Sequence, residues 1–305
     1  MITLFNKDDN GSQELQNLTG QWYASNPYSL VATEINFATN KVTSLIGEGT
    51  AKVIEEYYQA GTNDELVDAV RLPIACQAIM RYSALTSISH ESTGRKVKVD
   101  DNEKSPYEWQ IDRDDRAMRE RYYRALDAMY TALDASGLDV WKDSSVKSAV
   151  ASSIIGSIED FEKVYPIDGS HYVYYMLQSL VIEYQVSTLA PYLGDNWESV
   201  VDKSASATLI SLCQKAAVLG AVINAALRWS LEVFPLEIAR RFSPTYQGNK
   251  SNRAATTDEI DWYTTKLQSQ LNEALEDIAE EVNGGPGSWA LTPTNDPRNK
   301  FFTTE

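Results

Sequence analysis

Ile74-Ala75-Cys76-Gln77-Ala78-Ile79-Met80-Arg81-Tyr82, set above Ala221-Val222-Ile223-Asn224-Ala225-Ala226-Leu227-Arg228-Trp229, is the pair of stretches on which the fold turns. Each is an apolar run closed by an arginine and an aromatic residue, and the second is displaced by 147 positions (81 to 228). Leu45-Ile46-Gly47-Glu48 and Tyr192-Leu193-Gly194-Asp195 keep the same displacement (47 to 194). With a slip of two, Ala125-Leu126-Asp127 falls on Ala274-Leu275-Glu276. Three matches in order, over about 80 positions, read as one helical design present twice, and stacked copies of one module make a scaffold sooner than a reaction chamber.

The fold class expected is therefore mainly α, with tandem duplicated three-helix bundle modules and projecting loop or hairpin arms. In the first copy, apolar spacing predicts helices over 31–58, 64–85 and 112–135. Met118, Tyr122, Ala125, Leu126, Met129 and Leu133 step by three and four, which gathers them on one face that must be buried. The second copy reads as helices over 171–189, 205–230 and 258–282, with Val173, Met176, Leu177, Leu180 and Tyr184 as the matching stripe. Asn283-Gly284-Gly285-Pro286-Gly287 stops the last helix. Pro73 falls on Gly220 under the repeat; both weaken a helix, so a bend is expected at the same place in each copy. The domain reading is an extended N-terminal segment over 1–30, a first module over 31–140 with an arm at 88–110, a second module over 141–283 with an arm at 231–257, and a tail over 284–305.

Charge narrows the partners. The chain has 43 Asp and Glu against 27 Lys and Arg, a net charge of −16. Such a surface repels phosphate and offers no basic groove for gripping nucleic acid. The helix over 258–282 concentrates the excess: eight acidic residues there are met only by Lys266, which marks a solvated or channel-facing side. No basic stretch followed by a long apolar run opens the chain, and the run 216–227 is too short for a bilayer and carries Asn224, so it reads as a core helix and no membrane partner is expected. Cys76 and Cys213 read as buried free thiols.

The arms differ most between the copies. Lys96-Val97-Lys98-Val99 alternates like a strand, Asp101-Asn102 suits a turn, and Pro106 forbids a continuing helix, so 88–110 reads as a hairpin or arm. Asp112 is positioned to cap the helix that follows. Arg95, Lys96, Lys98, Tyr107 and Trp109 on this arm, with Trp289, Phe301 and Phe302 in the tail, are the candidate interface residues, since buried aromatics and arginines dominate binding energetics. Trp22 and Tyr23 before the first helix read as further aromatic anchors on an extended end, of the kind that orders on a partner.

Ser89-His90-Glu91-Ser92-Thr93-Gly94-Arg95-Lys96, Glu108 to Arg116, and Tyr165-Pro166-Ile167-Asp168-Gly169-Ser170 resemble a family of uncharacterised virion proteins in phages and prophages of gut bacteria. The order helix, helix, arm, helix is also similar to the head-tail connector (adaptor) proteins of tailed phages. The resemblance covers most of 30–285. It implies a structural virion protein of the neck or tail region, assembled in the host cytoplasm, forming a ring of twelve subunits that docks on the portal and extends the DNA channel. Its partners would be further copies of itself, the portal and neighbouring tail or connector proteins, with DNA passing without specific binding. Known adaptors carry one such module, so the doubling departs from the pattern. The alternative reading is a cytosolic helical protein–protein interaction module.

No catalytic, cofactor-binding or metal-binding residue is assigned. The two histidines, His90 and His171, lack companions at zinc-ligand spacing. Ser89-His90-Glu91 has the residue types of a triad, but side chains adjacent in sequence point apart, and the tripeptide reads as a turn. Gly47-Glu48-Gly49 and Gly248-Asn249-Lys250-Ser251 are fragments of phosphate-binding patterns without the preceding apolar strand, and their glycines read as helix ends. Asp112 and Asp115 could share a cation, but capping and ion pairing with Arg113, Arg116 and Arg119 account for them.

Overall fold

The computed structural model describes residues 2–6, 10–87, 89–91, 94–96, 107–228 and 256–283, and over these the chain is mainly helical. They divide into two compact units, one comprising residues up to 149 with 170–175, the other 150–169, 176–228 and 256–283.

In the first unit the stretch read as extended instead begins with a helix, α1 (Gly11–Thr19), ended by Gly20 in the left-handed conformation at φ 67°. Trp22 is buried, its Nε1 donating to Ser12 Oγ at 3.1 Å and its ring edge-on to Tyr82. The aromatic anchor is thus spent on the chain's own core, and only Tyr23 of that pair is exposed. The single helix expected over 31–58 is two, α2 (Ala32–Ile46) and α3 (Glu48–Ala60), because Gly47 sits between them at φ 86°, ψ 147°. Only a residue without Cβ adopts that backbone cheaply, so its presence is what splits the helix. α4 (Asp64–Thr86) runs as one element through Pro73. It packs against α2 and against α5 (Glu108–Ser136), and the whole predicted stripe from Met118 to Leu133 is buried in that contact. The short helices α6 (Asp139–Lys142) and α7 (Ser145–Ala151) follow, with Trp141 fully buried beside Tyr130.

Between α4 and α5 lies an antiparallel pair, β1 (Ser89–Glu91) and β2 (Gly94–Lys96), with His90 opposite Arg95. Ser89-His90-Glu91 is therefore a strand and not a turn. Two short runs separated by two residues satisfy each other's backbone groups, which a lone tripeptide read by itself does not reveal.

The second unit holds α8 (Ile158–Glu162), most of α9 (His171–Tyr184), a π-helical turn over 185–189, α10 (Ala190–Leu193), α11 (Trp197–Val201), α12 (Ala207–Arg228) and α13 (Thr257–Val282). α13 starts with a capping box, Thr256 Oγ1 accepting from Glu259 N at 3.3 Å while Glu259 Oε2 accepts from Thr256 N at 2.8 Å. α12 is apolar on every side and its middle, from Ala216 to Ile223, is buried without interruption. It is long and apolar enough to cross a membrane by length and composition, and 67% of that stretch is buried in the protein. α12 packs along α13.

Gly220 serves close packing: α12 continues through it without a break, and a Cβ placed there would lie 2.4 Å from the Tyr184 ring. The glycine is needed for close approach of α9 and α12. Beside it, Gln185 in the π-helical turn accepts from Ile154 N at 2.8 Å and donates to the Ser152 carbonyl at 3.2 Å, which ties the segment before α8 to this turn. Cys76 and Cys213 are buried free thiols. Burial pushes the Cys213 thiol up to about 12, which keeps it protonated.

Candidate functional site

Two features of the first unit bear on function, one a partly buried cluster and one exposed. The cluster centres on Asp134, near the C-terminus of α5. Its carboxylate accepts from Trp141 Nε1 at 2.8 Å, Lys147 Nζ at 2.9 Å and Tyr175 Oη at 2.7 Å, and His171 Nδ1 lies 3.4 Å away. Lys147 Nζ also donates to Tyr175 Oη at 3.0 Å. A Tyr, a Lys, a His and an Asp together resemble catalytic furniture. The chemistry runs the other way. Burial and the hydrogen bond to Asp134 push the Tyr175 hydroxyl far up, so it holds its proton and serves as a donor instead of a base. Asp134 is a tie between α5, α6, α7 and the first turn of α9.

Burial alone would raise the Asp134 carboxyl, but the hydrogen bonds from Tyr175, Trp141 and Lys147 outweigh it and hold the group below the ordinary carboxylate value. A depressed folded value means that Asp134 contributes stability above the titration of an unfolded carboxyl, about 4, and that this is lost as pH falls through the lower folded value. Asp134→Asn is accordingly expected to cost about 2–3 kcal/mol at pH 7 and much less at a pH of about 2.5, read by urea unfolding at both pH values. A gap of equal size at both would refute the assignment. Asp127, two turns earlier on the same face of α5, has the opposite sign: burial raises it against the hydrogen bonds it accepts from Tyr172 N and Ser170 Oγ.

The exposed feature is the start of α5. The helix begins at Glu108, four residues before the Asp112 cap expected, because Gln110 Oε1 accepts from Tyr107 N at 2.9 Å. Every residue from 109 to 117 is exposed. Tyr107 is 67% exposed, Trp109 59% and Ile111 43%. At 1.5 Å per residue, these nine positions form about 13 Å of helix exposed on all sides, at the point where the chain returns from the hairpin to the bundle. Tyr107 and Ile111, four apart, share one side of this turn and Trp109 stands on the other, so large apolar side chains face solvent on both sides, as they do at interaction sites.

Of the residues expected at an interface, Tyr107 and Trp109 are both exposed at the start of α5, and Arg95 and Lys96 lie on β2. Lys98, Trp289, Phe301 and Phe302 lie outside the described residues, as does most of the second arm. Ile111 and Trp262 are additions. Ile111 continues the register of the α5 stripe beyond its buried part. Trp262, 62% exposed, sits off the buried stripe of α13, which consists of Leu267, Leu271, Ala274 and Ile278. A tryptophan on the polar side of an amphipathic helix was the signal available for it. Among the described residues no group of three or more His, Cys, Asp and Glu could hold a metal ion.

Comparison of the chain with protein-family models, with curated proteins and with solved structures returns no match.

Proposed function

We propose that this chain is a structural virion protein, a head-tail connector subunit that assembles into a ring, docks on the portal and extends the DNA channel. The observation that carries the reading is the exposed start of α5 with Tyr107, Trp109 and Ile111, following a hairpin: an arm built to be covered by another chain. A net charge of −16 fits a channel protein that must let DNA slide without gripping it.

The tandem-module architecture belongs to the same proposal, and burial supports it. Residues 70–81 and 217–228 differ in burial class at only two of twelve positions. With the slip of two (125 to 274), the four buried residues of α13, Leu267, Leu271, Ala274 and Ile278, fall on Met118, Tyr122, Ala125 and Met129, all buried in α5. Gly47 and Gly194 both have positive φ and both end a helix. Two modules of common design present quasi-equivalent faces, which suits repetition around a ring axis.

The test is the copy number of this chain in purified phage particles, by quantitative mass spectrometry against the major capsid protein. Roughly a dozen copies per particle is the expected result for one closed connector ring. Hundreds of copies would place it in the shell or tail tube, and absence from particles would transfer the reading to a cytosolic interaction module.

A further inference from the structure

We infer that the arginine face of α5 in one copy seats on the acidic face of α13 in the next copy, making a head-to-tail contact; this rests on the ring reading above and names its interface. The inference comes from comparing the outward faces of the two related helices. On α5, Trp109, Arg113, Arg116, Glu120 and Arg124 follow steps of four, three, four and four, so they form one line along the side opposite Met118, Tyr122 and Met129. Trp109, Arg113, Arg116 and Arg124 are exposed and Glu120 is partly so, with Glu120 ion-paired to Arg124. Moved by 149 positions, the same line on α13 reads Asp258, Trp262, Thr265, Ser269 and Glu273, and its next steps are Glu276 and Glu280. All seven are exposed.

Over the seven matched positions the line on α5, which ends in Asp127 and Thr131, carries three arginines against two carboxylates, and the line on α13 carries four acidic residues with no basic one. Each face also holds one exposed tryptophan. Asp114 and Asp115 at the exposed start of α5 stand off this line, while Asp112 and Arg119, both exposed, flank its edge with opposite charges. A contact of α5 with another copy's α5, or of α13 with another's α13, would bring like charges together. A contact of α5 with another copy's α13 pairs opposite charges and places Trp109 and Trp262 at one seam. That contact uses different surfaces on the two partners, so it is heterologous, and such contacts close into rings or run on as filaments. It also gives the acidic side of α13 a partner other than water or channel DNA.

The experiment uses two full-length variants at exposed positions, Arg113→Glu with Arg116→Glu, and Glu276→Lys with Glu280→Lys. Association is read by light scattering coupled to size exclusion, at low salt and at about 0.5 M NaCl. The wild type is expected to form a large closed species that weakens as salt screens the contact. Each variant alone sets like charges against each other and is expected to associate roughly tenfold more weakly or worse. The equimolar mixture restores assembly, because every contact in an alternating ring is again between opposite charges. Arg113→Gln with Arg116→Gln removes the charge without reversing it, and keeps the test open should reversal unfold the helix. Variants that assemble as the wild type does, or a mixture that stays dissociated, overturn this interface and leave the ring reading standing. A wild type that is monomeric at tens of micromolar overturns the ring reading itself.

Discussion

Arg71→Ala is expected to cost about 3–5 kcal/mol of stability in the first unit, the penalty for removing one member of a buried charge network and leaving the others unpaired. Arg71 is 8% exposed. Its Nη2 meets Glu14 at 2.5 Å, its Nη1 meets Asp68 at 2.9 Å, and its Nε donates to the Leu4 carbonyl at 2.8 Å. The guanidinium also lies over the Phe5 ring at 4.6 Å and the Tyr58 ring at 4.9 Å, and Tyr58 Oη donates to Glu14 at 3.0 Å. One side chain on α4 thus secures the residues before α1, α1 itself and α3. A loss of this size should lower the melting temperature by about 10 °C for a unit of this length, with amide exchange rising first in residues 2–19. Arg71→Lys keeps the charge but loses the planar fork, so its stability should fall between those of the wild type and Arg71→Ala. A melting temperature unchanged in Arg71→Ala would show that the network is a surface ornament.

The second large effect has an unusual sign. Gly→Ala inside a helix ordinarily stabilises by about 1 kcal/mol, through propensity and the entropy of the unfolded chain. At Gly220 the new Cβ would lie 2.4 Å from the Tyr184 ring, far inside van der Waals contact. Overpacking a filled core costs about 1–3 kcal/mol, which exceeds the propensity gain, so Gly220→Ala should destabilise and Gly220→Val should do so more severely. Combining Gly220→Ala with Tyr184→Ala should recover part of the loss beyond additivity, because the second change removes the ring that the first collides with. Equilibrium unfolding of the four proteins in that cycle measures the coupling. A stabilising Gly220→Ala would mean that the helices separate without cost.

The two cases mark how far the sequence reaches. The positions of α4, α12 and α13 were legible to within a few residues, because an amphipathic or wholly apolar helix writes its buried positions into local spacing. The α5 stripe was legible residue by residue, from Met118 to Leu133. Gly47 was legible as a helix end, although the apolar spacing by itself carried one helix through it over 31–58. For the interface, Tyr107 and Trp109 could be named from their place on an arm, whereas Trp262 could be found only by noticing that it stands off its helix's stripe.

Tryptophan itself shows what remained open. Trp22, Trp109 and Trp262 are the same side chain in similarly polar surroundings of sequence, yet the first is buried against Tyr82 and the other two face solvent. The sequence alone determined the helical class, the stripes and the acidic balance, since each depends on spacing or composition. The tertiary structure alone decided that Arg71 meets Glu14 across 57 positions, that Gly220 lies under Tyr184, and that the start of α5 is left exposed. These depend on which faces of separate helices meet, and close packing settles that by fitting side-chain shapes together, which no periodicity within a single helix encodes.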